Sequence, residues 1–364
     1  MTLEEKIGQL LIVGFEGYEP SKAVETLIQH HHIGGVVLFG RNVRDPVQLQ
    51  NLTQALQAMS PRLPLFMAID QEGGRVSRLR APFTEFPSPS RLGQAGSVEL
   101  AHAFGNAVAR ELNTVGINVN FAPILDLHTN PQNPVIGERA FSSRPDLAAR
   151  LGVAFFKGLE AQGVIAVGKH FPGHGETSAD SHQVLPVVPH GRSRLQEVEL
   201  HPFSEAVRAG IPALMTAHVL YPALDPDHPA TLSRAILTDL LRDGLGFAGL
   251  LVSDDLEMGA ITSRYSTAEA TVRFVEAGGD LLLICHRYER QLEAMEALTQ
   301  AVEAGRIEEE RIEGSLRRVI RAKERYLLPY SPPSPERITE VVGCEEHRKL
   351  VRAILSAANG QGPT

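Results

Sequence analysis

Eight short apolar runs recur along this chain, each bounded by Gly or Pro and separated from the next by a longer stretch with helical periodicity. They are LIVGF (11–15), GGVVLF (34–39), PLFMAID (64–70), GINVNFAPIL (116–125), GVIAVGKH (163–170), IPALMTAH (211–218), GLLVSDDL (249–256) and GDLLLIC (279–285). Near-continuous apolar strands imply a parallel sheet buried on both faces, since a strand with one wet side would alternate. Segments such as PVQLQNLTQALQAM, SVELAHAFGNAVARELNTVG and RPDLAARLGVAFFKGLEAQG supply the covering helices, and Gly116, Gly163 and Gly210 stand where left-handed C-caps would end them. Eight such units within about 285 residues fit an α/β chain of (β/α)8 TIM-barrel type better than an open doubly wound sheet, which rarely repeats its unit so evenly. Residues 1–330 are expected to form that single domain. Beyond it, LPYSPPSPER breaks the periodicity with four prolines, and 331–364 reads as a Pro-rich linker and C-terminal helical tail with no second α/β domain.

Composition narrows the function. The 364 residues carry a net charge of −8 with no Lys/Arg block, which argues against a sequence-independent grip on nucleic acid. No apolar run reaches membrane-span length. Two cysteines, Cys285 and Cys344, cannot make a disulfide framework, so a reducing compartment is the easier reading. The N-terminus MTLEEKIGQLL lacks a charged n-region followed by an apolar h-region and cleavage site, and a cytoplasmic location is expected. It does place Thr2 as a helix cap ahead of Glu4 and Glu5. There is no Trp, and aromatic residues make up only 5% of the chain.

Barrel active sites are built where strands end at their C-terminal edge. Five successive strands here end in ionisable residues: Asp70, then Asp126, then Lys169 and His170, then His218, then Asp254 and Asp255. Resumed polarity at a strand end explains one or two of these, not five.

The densest group is KHFPGHGETSADSH, residues 169–182, with three His, one Lys and two carboxylates in a segment whose Pro and Gly residues bar a regular helix or strand interior. Asp180 and His182 are two apart, so on extended backbone both side chains point to one side and the carboxylate can accept the imidazole N–H. Such a pairing orients a His and favours its protonated form, as a general acid/base requires. In LLVSDDLEMGA, Asp254 is aimed into the mouth; helix capping by Ser253 or Asp255 accounts for one polar residue there but not for both aspartates. In DQEGGRVSRL the Gly pair permits a sharp turn after Asp70, and Arg75 and Arg78 are placed to reach across to acids. Arg139, in the loop IGERAFSSRP, reads as a surface residue as readily as a site residue.

Rival chemistries leave weaker traces. His170, His174 and His182 could be taken for metal ligands, but Pro172 and Gly173 break the helix on which an H-x3-H pair would share a face. Lys169 at a strand end would suit a Schiff base, and His30–His32 reads as a solvated helix C-terminus. No metal and no cofactor is expected.

These motifs together resemble glycoside hydrolase family 3, in its β-N-acetylhexosaminidase branch. IGQLLIVGF, DQEGGRVSRL, GINVNFAPILDL, GERAFS, KHFPGHGETSADSH and VSDDLEMGA carry the likeness in order from residue 3 to about residue 325. The resemblance implies Asp254 as nucleophile, His182 as general acid/base with Asp180 as its partner, and substrate contacts from Asp70, Arg78, Arg139, Lys169 and His170. It implies a retaining β-N-acetylglucosaminidase that removes terminal N-acetylglucosamine from β-glycosides, with oligosaccharide fragments of peptidoglycan as substrates in cell-wall recycling. Phosphorolysis to a sugar 1-phosphate, a β-glucosidase of the same family and a metal-dependent hydrolase on the same barrel stay open as alternatives. One departure stands inside the main motif: Glu176 occupies a position where Asp or Asn is more usual. EEHRKLVRAILSAANG is similar to the helix that leads, in longer members, into a second α/β domain. Without Trp, the sugar should be held mainly by hydrogen bonds from charged groups.

Overall fold

In the computed structural model, which describes residues 1–60 and 62–360, all eight apolar runs form strands: Leu11–Val13 (β1), Gly35–Leu38 (β2), Phe66–Ile69 (β3), Val119–Asn120 (β4), Ile165–Phe171 (β5), Ala213–Thr216 (β6), Leu250–Asp255 (β7) and Leu281–Ile284 (β8). Each pairs in parallel with its neighbours in chain order, and Leu11 opposite Leu282 closes the barrel between β1 and β8. Nearly every strand residue is buried, as the runs require, because side chains facing in fill the barrel and those facing out meet helices. Each fully buried Leu, Ile or Val adds about 1.5–3 kcal/mol of hydrophobic stabilisation. The chain is thus a (β/α)8 TIM barrel.

The helices follow their sequence signals. Thr2 forms a capping box, its Oγ1 accepting from Glu5 N at 3.3 Å while Glu5 Oε2 accepts from Thr2 N at 3.0 Å. Gly116, Gly163 and Gly210 sit at φ of 76°, 74° and 81°, the left-handed conformation that ends their helices.

Besides the i→i+5 winding of Ala235–Gly244, three features depart from the periodicity. The stretch RLQEVELHPFSEAVRAG is not one α-helix: Leu195–Glu199 winds with i→i+5 geometry, Leu200 N–H donating to Leu195 O at 2.8 Å, before His201–Arg208 resumes. Pro202, which has no N–H to give, stands at the junction, and this removes a rung of the regular ladder. Two antiparallel pairs, Gln71–Gly73 with Val76–Ser77 and Leu220–Tyr221 with Asp225–Pro229, decorate the mouth. The third departure is the C-terminal helix Glu345–Ala358, which does not hang free. Its His347 and Ile354 are wholly buried, His347 Nδ1 lies 3.0 Å from Glu111 Oε1, and Gly343 N–H donates to the same oxygen at 2.9 Å. No helix among the described residues is long and apolar enough to cross a membrane, and both cysteines are free.

Candidate active site

Asp70, Arg78, Arg139, Lys169, His170, His182 and Asp254 line one cleft of about 340 Å³ at the C-terminal ends of the strands, and Asp180 stands behind His182. A volume near the low end of ligand sites suits a single sugar ring better than an extended chain.

One wall is a chain of buried charges. Lys169 Nζ donates to Asp70 Oδ1 at 2.6 Å and lies 2.8 Å from Glu72 Oε1. Glu72 receives Arg139 on both oxygens, Nε and Nη2 each at 2.8 Å, a bidentate pair. Arg78 Nη2 reaches Asp70 Oδ2 at 3.3 Å. Burial alone would push these carboxyls up, but the neighbouring cations prevail: Glu72 is lowered to about 2 by Arg139 and Lys169, and Asp70 is lowered by Lys169 and Arg78. Burial likewise works against the Lys169 charge, and Asp70 with Glu72 more than restores it. An ammonium held between two carboxylates is a poor amine nucleophile, which argues against a Schiff base at Lys169.

A second cluster holds the loop after β5. Asp126 accepts from His170 Nδ1 at 2.6 Å and from the backbone N–H of His170 and His174 at 3.1 and 2.6 Å. His174 is buried, its Nε2 on Ser181 Oγ and its Nδ1 on Thr177 Oγ1, each at 2.9 Å, and burial lowers its pKa to about 4. Both of its ring nitrogens are engaged, so the proposed His170–His174–His182 metal set does not assemble. Gly173 adopts φ 135°, and a Cβ at Gly175 would fall 1.6 Å from Leu127 O, so both glycines are dictated by the path of this loop.

On the loop, His182 Nδ1 lies 2.7 Å from Asp180 Oδ1, which also accepts from His182 N–H at 2.9 Å. Burial nudges Asp180 upward, but these two hydrogen bonds hold its carboxyl low. The pair faces solvent, with 64% of the His182 side chain and 34% of the Asp180 side chain exposed.

Asp254 is partly buried near the end of β7, its Oδ1 accepting from Asp255 N–H at 2.8 Å. Burial opposes its ionisation, yet the His218 and His170 rings, the Asp255 N–H and the Lys169 ammonium together keep it below the ordinary carboxylate value. Neither Ser253 nor Asp255 caps the next helix, Gly259–Thr262, whose N-cap is Met258; Ser253 Oγ accepts from Leu283 N–H, and Asp255 Oδ1 accepts from Glu257 N–H and Cys285 N–H while its Oδ2 meets His286 Nε2 at 3.2 Å. His218 is also a support: its Nε2 donates to Asp255 O at 2.9 Å and its Nδ1 meets Thr231 Oγ1 at 2.7 Å.

Sequence reasoning placed the cleft residues and missed their anchors. Arg75 does not pair with an acid; its Nη2 donates to the carbonyls of Val135 and Ile136. Glu72, wholly buried, was overlooked although it sits in the DQEGG turn between two predicted site residues; a carboxylate two positions after a strand-end Asp was the available signal. Apolar and aromatic groups share the cleft with the charged ones: Phe39, Phe121 and His286 line it, and Arg41 and Arg78 lie over the Phe39 ring at 4.4 and 5.8 Å.

The profile of the Glycosyl hydrolase family 3 N terminal domain matches residues 2–322. Beta-hexosaminidase A of Pseudoalteromonas piscicida is 37% identical over 404 residues, covering 98% of this chain and 67% of that protein. A glycoside hydrolase family 3 β-N-acetylglucosaminidase structure from Paenibacillus sp. str. FPU-7 superposes with a TM-score of 0.96 at 45% identity, covering 98% of this chain and 69% of the other. The NagZ structure from Neisseria gonorrhoeae, in complex with N-trifluoroacetyl-D-glucosamine, gives a TM-score of 0.78 at 31% identity and covers 96% and 98% of the two chains.

Proposed function

This chain belongs to glycoside hydrolase family 3 and is an enzyme of the β-hexosaminidase type, and from that premise we propose a retaining β-N-acetylglucosaminidase that releases terminal N-acetylglucosamine through a covalent intermediate on Asp254. The observation that carries the reading is an ionised Asp254 in the same cleft as a loop-borne His182 whose Nδ1 is tied to a carboxylate. With Nδ1–H given to Asp180, Nε2 is the nitrogen left to exchange a proton with the sugar. In the first step Asp254 attacks the anomeric carbon, the glycosidic C–O bond breaks and His182 Nε2–H protonates the departing oxygen. In the second, His182 takes a proton from water, the resulting hydroxide oxygen bonds to the anomeric carbon and Asp254 leaves. Retention follows from two inversions.

The wall of Asp70, Arg78, Lys169 and Arg139, with His170 beside it, supplies donors and acceptors for sugar hydroxyls. His182 is too exposed to exclude water by itself, so the loop is expected to fold over bound sugar before chemistry. The gonococcal relative's N-acylated glucosamine ligand supports the choice of sugar, and peptidoglycan fragments are the substrates we assign on the family resemblance of the motifs.

A panel of aryl β-glycosides tests the specificity. The N-acetylglucosaminide should be the best substrate, and Asp254→Ala should abolish its turnover. A preference for the glucoside, or retained activity in Asp254→Ala, would refute the reading.

A further inference from the structure

Outside the cleft, the start of the acid/base loop is fastened by a group of side chains that the reaction does not use. Glu176 lies on that loop, His190 precedes the short helix Arg192–Arg194, and Glu199 closes the i→i+5 turn. One ligating atom of each lies within 4.8 Å of the others, and none of the three lines the cleft. Glu176 Oε2 and His190 Nε2 are 2.9 Å apart. Arg194 takes the other oxygens, its Nη2 donating to Glu176 Oε1 at 3.3 Å and to Glu199 Oε1 at 3.1 Å.

The oxygen left over is the informative one. Glu199 is only 3% exposed, yet its Oε2 has no hydrogen-bond partner. Buried polar atoms are normally satisfied, and an orphaned carboxylate oxygen beside an imidazole and a second carboxylate is the demand a cation would meet.

We propose that Glu176, His190 and Glu199 form a divalent-metal site, with Zn²⁺ as the ion whose preference for imidazole and carboxylate ligands fits best. Arg194 is then the outer partner that orients both carboxylates, as hydrogen-bonded groups around ligating carboxylates do. Binding replaces the His190 Nε2–Glu176 Oε2 hydrogen bond, the ion taking the Nε2 lone pair of the imidazole tautomer that carries its proton on Nδ1. His190 is 29% exposed on its side chain, which leaves the ion a way in from water. Metal–ligand bonds of about 2.0–2.2 Å set tetrahedral ligand atoms roughly 3.4 Å apart, so the group closes around the ion by side-chain rotation. The ion does no chemistry on the sugar. It clasps the first residues of the acid/base loop to the turn that follows and restricts how far His182 can swing. Because the three ligands lie apart from the cleft, this inference stands whether or not the substrate assignment does.

The test is titration of the chelator-stripped full chain with Zn²⁺, read by calorimetry and by the shift in melting temperature, with His182→Asn carried in parallel. Wild type and His182→Asn should each bind one ion and melt at higher temperature with it. Glu199→Gln and His190→Ala should each weaken binding by about tenfold or more. His190 is partly exposed, so His190→Ala keeps the question open to test if the buried Glu199→Gln fails to fold. No saturable binding to wild type would overturn the proposal, as would wild-type affinity in both ligand variants. Loss of binding in His182→Asn would also overturn it, since the ion would then sit in the cleft.

Discussion

The wall and the loop of the same cleft are built on opposite terms. Glu72 and Lys169 are 0% and 3% exposed, and they are linked to Asp70 and Arg139 by contacts of 2.6–2.8 Å; the His182 side chain, 64% exposed, has Asp180 as its hydrogen-bond partner, while the His182 carbonyl accepts from Gly259 N–H at 3.1 Å. A wall locked by mutual charge presents its polar groups in fixed places, so a ligand that meets them spends no binding energy on arranging them. The loop is held through His174, which meets Ser181 Oγ, and by two backbone bonds, Ala260 N–H to Ser181 O and Gly259 N–H to His182 O at 3.1 Å each; what it leaves open to solvent is the His182 side chain. On the function proposed above, binding rests on the fixed wall and proton transfer on the exposed His182 side chain.

The largest effect that would break the contrast comes from the wall. Glu72→Gln leaves Arg139 and Lys169 buried beside a neutral amide, and should cost about 3–5 kcal/mol of stability in urea unfolding. The sign with pH follows from the lowered carboxyl: its contribution is complete above 4.5, the ordinary value, and is lost as pH falls toward about 2. The gap between variant and wild type should therefore narrow on acidification across that window. A constant gap would mean the pair is not held as charges.

Next comes the loop. His182→Ala should leave stability within about 0.5 kcal/mol, as befits an exposed side chain. It should lower kcat by roughly 10²–10⁴-fold on a poor leaving group and far less on an activated aryl glycoside, which needs no proton. Equal losses on both substrates would argue against the acid role, and a large fall in melting temperature would erase the distinction between wall and loop.

Another buried lysine in the barrel sharpens the comparison from outside the cleft. Lys323 donates to Gln9 Oε1 at 2.8 Å and sits 4.9 Å over the Phe66 ring, and burial lowers its pKa to about 7, whereas Lys169 between two carboxylates is raised. The folded state holds fewer protons than the unfolded one between about 7 and 10.5, so the penalty is complete below that window and fades as pH rises through it. Lys323→Met should stabilise the protein by about 1–4 kcal/mol near neutrality, and by less toward pH 10. Destabilisation at neutral pH would show that the amide contact outweighs the buried charge.

Much of this was legible because barrel physics writes it at strand ends. Asp70, Lys169, His170 and Asp254 terminate apolar runs, and a run that stops on a charge at the mouth marks a site. Asp180 and His182 do pair, but on a turn in which Gln183 N–H donates to Asp180 O at 3.0 Å and not on the extended backbone from which their spacing was argued. Residues whose partners lie far along the chain were not legible: Glu72 binds Arg139, 67 positions on, and His347 binds Glu111 across 236. Arg139 looks like any loop arginine until Glu72 is placed beneath it. The C-terminal helix announced its amphipathic face, but the surface that receives it is made by the fold.

The central claim is that Asp254 bonds covalently to the sugar. Incubation with a fluorinated N-acetylglucosaminyl substrate that slows the second step, followed by digestion and mass analysis, reads this directly. A sugar adduct is expected on the peptide containing Asp254, formed by wild type and absent from Asp254→Ala. A label on another carboxylate, or turnover with no adduct and a cyclised acetamido product instead, would contradict it.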